Sequence, residues 1–98
     1  MTENFKKNTN KTLNDIFVLI EKHYKDFDVD FQDENLVVEI DDLTYVISIH
    51  NLTSQIWLSS PKSGAHHFTL NDSNVWTGTR NNEVNLFDLL KSEFDSLV

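Results

Sequence analysis

Apolar residues recur at helical spacing near the start of the chain: Leu13, Ile16, Phe17, Ile20 and Tyr24, with Asp15, Glu21, Lys22 and Lys25 between them. This spacing predicts an amphipathic helix over roughly 11–25. The Asn- and Lys-rich residues 1–10 are expected to be frayed. The period then shortens to two. In FDVDF, Phe27, Val29 and Phe31 share one face of a strand, and Asp26, Asp28 and Asp30 share the other. Turns at 33–35 and at Asp41 and Asp42 bound a second strand, Leu36–Ile40, and a third follows at Tyr45–Ile49. A fourth strand opens at QIWL, residues 55–58. PKSG is read as a loop, because Pro61 cannot donate to a ladder and Gly64 is conformationally permissive. Two short strands are expected near 66–70 and 74–77. Asn85 is a candidate N-cap for a closing helix, with Asp88 at its positive end and Leu86, Leu89, Leu90, Phe94 and Leu97 as its apolar stripe.

The order is helix, five to six strands with short turns, then helix. Short turns make neighbouring strands antiparallel. One sheet face needs a cover, and the two helices are the only elements that can supply it. The predicted fold is α+β, a two-layer sandwich with its second sheet face open to solvent. In the fourth strand Ile56 and Leu58 belong to the covered face, so Gln55 and Trp57 belong to the open one. Two readings of Trp57 stand at this point: a ring half-covered by cross-strand neighbours that stabilises the sheet, or an exposed anchor for a partner protein.

Composition narrows the chemistry. At 98 residues and 39% hydrophobic, the chain suits one domain, 1–98, with a real core. No apolar run is long enough to span a bilayer. The stretch MTENFKKNTNKT lacks the apolar segment of a secretory signal; with Glu3 and no arginine it makes a poor transit peptide. There are no cysteines, which removes thiolate nucleophiles, zinc–thiolate sites and disulfides. The net charge is −8, and eight of the 16 acids fall between Asp26 and Asp42 with no lysine or arginine among them. Such a region repels phosphate backbones and anionic membranes and favours cations or basic protein surfaces. Nucleic acid and membrane are therefore not the expected partners.

Alternate residues of a strand stand about 6.6 Å apart, two rises of roughly 3.3 Å. Asp26, Asp28 and Asp30 at that spacing would each bind a hard cation through one oxygen, weakly and with little discrimination. The plainer reading of this row is a charged edge that resists pairing with other sheets. His23, beside Glu21 on the first helix, could join such a site. His66 and His67 are adjacent and so leave a strand by opposite faces. His50 is read as a turn residue. Ser59, Ser60 and Ser63 show no base or oxyanion arrangement in the sequence, and two glycines do not make a phosphate-cradling loop.

QIWLSSPKSG at 55–64, preceded by TYVI at 44–47 and followed by Trp76 and VNLFDLLKSEF, resembles the frataxin family, whose bacterial members are called CyaY. The resemblance runs from about Leu13 to Leu97. It implies a small acidic protein of iron–sulfur cluster biogenesis. Such a protein binds iron weakly on an acidic ridge and docks on a complex of cysteine desulfurase and scaffold protein. By position, Glu21, Asp26 and Asp28 match acidic family positions and Asp30 extends the row. Gln55 and Trp57 match the exposed sheet residues that meet the scaffold. Departures are Lys22 and Lys25, where many members are acidic, and Ser48, Thr53 and His67, where the family carries Asn, Asn and often Arg. The expected ligand set is thus Glu21, His23, Asp26, Asp28 and Asp30. The expected partner surface is Ser48, Thr53, Gln55, Trp57 and His67. The expected state is a monomer without iron. The resemblance places a eukaryotic member in a mitochondrion-type matrix and a bacterial one in the cytoplasm. A second function kept in view is a ferroxidase that stores iron by oligomerising, although ferroxidase centres use Glu and His ligands converging inside a helix bundle.

Overall fold

The computed structural model describes the backbone from Thr2 and the side chains from Phe5 to Val98. Helix α1 (Thr2–His23) is followed by strands β1 (Asp28–Gln32), β2 (Asn35–Ile40), β3 (Leu43–His50), β4 (Gln55–Ser60), β5 (Gly64–Leu70) and β6 (Trp76–Gly78), then helix α2 (Leu86–Ser96). The six strands form one antiparallel meander in chain order. This is the two-layer α+β sandwich that the alternation and the short turns imply.

Register fixes the faces. Val29 lies opposite Val38, Val38 opposite Tyr45, Ile47 opposite Leu58, and Ile56 opposite Phe68. These residues form one buried cluster with Leu13, Ile16 and Ile20 of α1 and Leu86, Leu90 and Phe94 of α2. Phe94 is at its centre, with Tyr24, Phe27 and Tyr45 ring centroids 5.3, 5.4 and 5.1 Å away, all three edge-on. Truncating such a residue costs about 3–5 kcal/mol, the transfer term plus the cavity left behind. The other sheet face carries Asp28, Asp30, Glu39, Ser48, Gln55, Trp57 and His67, and no helix lies over it.

Several of the clustered acids have a backbone role. Asp33 and Asp41 open two-residue turns with φ of 59° and 53°. Asn and Asp tolerate this left-handed region better than other residues with a Cβ. Asn74 and Ser54 do the same in the later turns, at 61° and 54°. At the far end of the core, Tyr24 Oη donates to Asp95 Oδ1 at 2.6 Å, tying the end of α1 to α2. That bond, with burial, pushes the Tyr24 phenol up to about 12.

The first helix departs from its predicted bounds. It starts at Thr2 instead of near residue 11 and ends at His23 instead of 25. Met1 lies outside the described residues; the rest of the stretch expected to fray is helical. The core-facing stripe continues backwards from Ile16 through Thr12, Thr9 and Phe5. Threonine there is invisible to a hydrophobic-period search. Thr9 is fully buried, and its hydroxyl donates back to the Phe5 and Lys6 carbonyls. Thr12 Oγ1 accepts from Trp76 Nε1 at 2.8 Å, and Phe5 meets the Trp76 ring edge-on at 6.4 Å. At the other end, Phe27 N–H donates to the Tyr24 carbonyl in a turn. Asp26 therefore lies in that turn, and the strand row is Asp28 and Asp30 only.

Candidate functional site: an acidic edge and an imidazole–tryptophan patch

The open sheet face has two unlike halves. On the β1–β2 half, Asp28 stands directly opposite Glu39, and Asp30 opposite Val37. Like charges facing across strands destabilise by a fraction of a kcal/mol, roughly 0.2–1. Glu21 and His23 are exposed in the last turns of α1, and Asp26 is exposed in the following turn. A hollow of about 260 Å³ between α1 and β1 is lined by Glu21, Lys25, Phe27, Asp28 and Val29. Glu21 and Asp28 are thus brought to one hollow, with the Lys25 side chain lining it too. Asp26, Asp30 and His23 do not line it. Among the described residues, no three His, Asp or Glu side chains are grouped closely enough to hold an ion together. The edge therefore presents its carboxylates singly or, at Glu21 and Asp28, as two beside one hollow.

The β3–β5 half is organised. Trp57 of β4 lies between two imidazoles, His50 of β3 at 3.8 Å and His67 of β5 at 4.1 Å between ring centroids, with interplanar angles of 9° and 10°. Trp57 Nε1 donates to Gln55 Oε1 at 2.7 Å. His50 Nδ1 and Thr53 Oγ1 are 2.7 Å apart. Ser48 is the register partner of Trp57 on β3, and His67 its partner on β5. All five residues expected at a partner surface are therefore neighbours. His50, read from sequence as a turn residue, completes the patch. The ring faces of Trp57 are covered by cross-strand neighbours, as the first reading expects, and the residue is half-buried on the sheet face away from the helices.

Beneath this half, on the helix side, lies a carboxylate that sequence reasoning did not single out. Glu93 of α2 is buried, and Oε1 accepts from Tyr45 Oη at 2.8 Å and from Ser60 Oγ at 2.5 Å. Its Oε2 accepts from Ser63 Oγ at 2.5 Å. Burial pushes the Glu93 carboxyl up, but the Ser60, Ser63 and Tyr45 hydroxyls, helped by nearby His66, hold it below the usual range. Burial first, then the bond to Glu93, pushes the Tyr45 phenol far up. Ser60 Oγ also accepts from the Lys62 and Ser63 amides, so SSPKSG is a turn closed on Ser60 and latched to α2. Lys62 Nζ adds a contact to Ser96 Oγ. His66 Nε2 is 2.7 Å from Ser63 Oγ, so this serine does have a base in reach. However, its proton is directed to Glu93, leaving Ser63 between acid and base. In a nucleophile relay the histidine occupies that middle position, so the geometry is that of a latch.

Compared with known proteins, the chain matches the family described as Frataxin-like domain over residues 1–98. It is 35% identical to the mitochondrial frataxin of Arabidopsis thaliana over 102 residues, covering 97% of this chain and 54% of that protein. The chain thus spans about half the length of that curated relative. Among solved structures, a trimeric frataxin from Saccharomyces cerevisiae complexed with ferrous iron aligns with a TM-score of 0.76 at 30% identity, covering 96% of this chain and 84% of that one. A frataxin from Psychromonas ingrahamii, of the CyaY protein family, aligns with a TM-score of 0.82 at 22% identity, covering 97% and 90%. At that identity it speaks for the fold alone.

Proposed function

The chain belongs to the frataxin family, and from that premise we propose that it is a weak iron-binding regulator of iron–sulfur cluster assembly. It docks on the complex of cysteine desulfurase and scaffold protein through the open sheet face. The observation that carries this reading is the patch of Ser48, Thr53, Gln55, Trp57 and His67, pre-ordered by stacking and hydrogen bonds on a face that no helix covers. Rigid aromatic anchors bind with little entropic cost, which is the property of interface hot spots. The acidic edge supplies long-range attraction to a basic partner surface and single-carboxylate sites for ferrous or ferric iron. Support for iron as the cation comes from the yeast relative complexed with ferrous iron. The mitochondrial Arabidopsis relative supports a mitochondrial compartment if the source is eukaryotic.

The second reading, a ferroxidase or iron store that works by oligomerising, draws on the trimeric state of the yeast relative. Against it stands the absence, among the described residues, of three grouped ligands where iron could be oxidised. The deciding experiment is capture of purified desulfurase–scaffold complex on the immobilised protein, with and without Fe(II), beside sedimentation of the free protein with the same iron. Capture that is lost in Trp57→Ala supports docking. Iron-driven oligomers with oxygen consumption and no capture would establish the storage reading instead.

A further inference from the structure

The geometry points to a binding site for a small oxyanion, a phosphate or carboxylate group, in the hollow beside the free edge of β5. This hollow, about 310 Å³, is lined by Ser63, Ala65, His66, His67, Gly78, Thr79, Arg80, Asn81 and Val84. The chain has 16 acids and a net charge of −8, yet among the described residues no carboxylate lines this hollow. The chain's only arginine and two of its four histidines do. Among the described residues the one ion pair is Lys11 with Asp15, so the Arg80 guanidinium has no carboxylate partner. Glu93, which accepts from the lining residue Ser63, is buried and already holds three hydroxyls, and Glu83, whose N–H donates to Asn81 Oδ1, does not line the hollow.

The backbone adds donors of its own. β6 pairs only with Phe68, Thr69 and Leu70 of β5, so the residues before Phe68 have no partner strand on that edge. Thr79 N–H donates to the His67 carbonyl at 2.9 Å, which shows that His67 turns its backbone polar groups outward there. By the two-residue period Ala65 turns the same way. The Ala65 N–H therefore lies along the open part of this edge, with the His67 N–H next along it beside Thr79, at a hollow that Arg80 also lines. An arginine fork with fixed backbone N–H donors suits a group with two or more oxygens in a plane or tetrahedron. The volume is at the lower limit of ligand pockets, which favours a small anion over a peptide. The site is separate from the acidic edge and does not depend on the iron-binding reading.

The test is a titration of ¹⁵N-labelled protein with inorganic phosphate and, in a second arm, citrate, with ionic strength held constant by sodium chloride. Saturable shifts of the Ala65, His67, Thr79 and Asn81 amides and the Arg80 Nε–H are expected in at least one arm, and the stronger arm identifies the anion. Arg80→Gln should weaken that binding about tenfold or more, the loss of one charge-assisted bidentate contact. Lys91→Gln, which removes one exposed positive charge from α2, should leave it within about twofold. Absence of saturation in both arms overturns the site. So does binding that survives Arg80→Gln or falls equally in Lys91→Gln, since the cause would then be net charge.

Discussion

The two halves of the sheet solve opposite problems with polar side chains. The β1–β2 half concentrates charge and leaves it loose: Asp28 faces Glu39, and no group of three ligands forms among the described residues. The β3–β5 half carries few charges and holds its central side chains in place. On its open face the Trp57 indole is held by two imidazoles and Gln55; on its covered face the Glu93 carboxylate is held by three hydroxyls. Charge density and organisation are thus separate properties. A cation that can be exchanged needs the first, and a surface that must be recognised needs the second.

The contrast breaks most strongly at Glu93. Glu93→Ala would leave the Tyr45 and Ser60 hydroxyls buried without an acceptor, at about 1–3 kcal/mol each. A loss of roughly 3 kcal/mol or more in urea unfolding is expected. Acid should reproduce part of it. Because the folded-state value is depressed, the contribution is fully present above the usual glutamate range and is lost as pH falls through the lower folded value. A stability flat from pH 6 to the acid transition of Glu93→Ala itself would show that the carboxylate is not the latch.

Trp57→Ala comes next. It removes a ring stacked on both faces, so some stability is lost, about 1–2 kcal/mol from two aromatic contacts. Core truncations such as Ile56→Ala or Leu58→Ala should cost about 2–5 kcal/mol. Docking on the proposed desulfurase–scaffold partner should fall about thirtyfold or more, at least about 2 kcal/mol. A thermal melt read beside sulfur-transfer rates separates the two effects. If binding is unchanged in a folded Trp57→Ala protein, the patch is a stabilising stack and nothing more.

On the loose half the sign reverses. Asp28→Asn relieves the facing pair with Glu39 and should raise stability by roughly 0.2–1 kcal/mol while weakening Mn(II)-induced NMR broadening around Glu21 and Asp30. A lower melting temperature would mean that Asp28 is held by donors and belongs with the organised half.

What could be read in advance follows from the range of each signal. The α2 stripe and its Asn85 cap are local patterns, and they appear where the pattern places them; the period-two run at 27–31 does so only in part, since β1 spans Asp28–Gln32 and Phe31 is exposed. The acid cluster is legible because charge is counted by residue. The start of α1 was not legible because Thr9 and Thr12 occupy core positions with side chains that bond back to the helix or out to Trp76. Glu93 was not legible because its partners are 48, 33 and 30 residues away. His50 was missed for a related reason: it sits at the end of β3, and only the register with β4 brings it against Trp57.

The smallest expected effect concerns Lys25. Its side chain lines the same hollow as Glu21 and Asp28. Lys25 forms no ion pair with either acid, but a positive charge at the wall of the hollow opposes the entry of a divalent ion. The side chain is exposed, so the interaction is screened, and surface pairs of this kind are worth about 0–1 kcal/mol. Lys25→Gln should therefore tighten divalent-ion binding only severalfold, with almost no change in melting temperature. Lys25→Glu should tighten it further by adding a third carboxylate to the pair. Lys22→Gln, one turn away and absent from the lining, changes the net charge equally and serves as the control. Tightening in Lys25→Gln but not in Lys22→Gln would locate the exchangeable cation in this hollow. Equal tightening in both would mean that ions respond to the overall field of the acidic edge, and that its two carboxylates do not act as a pair.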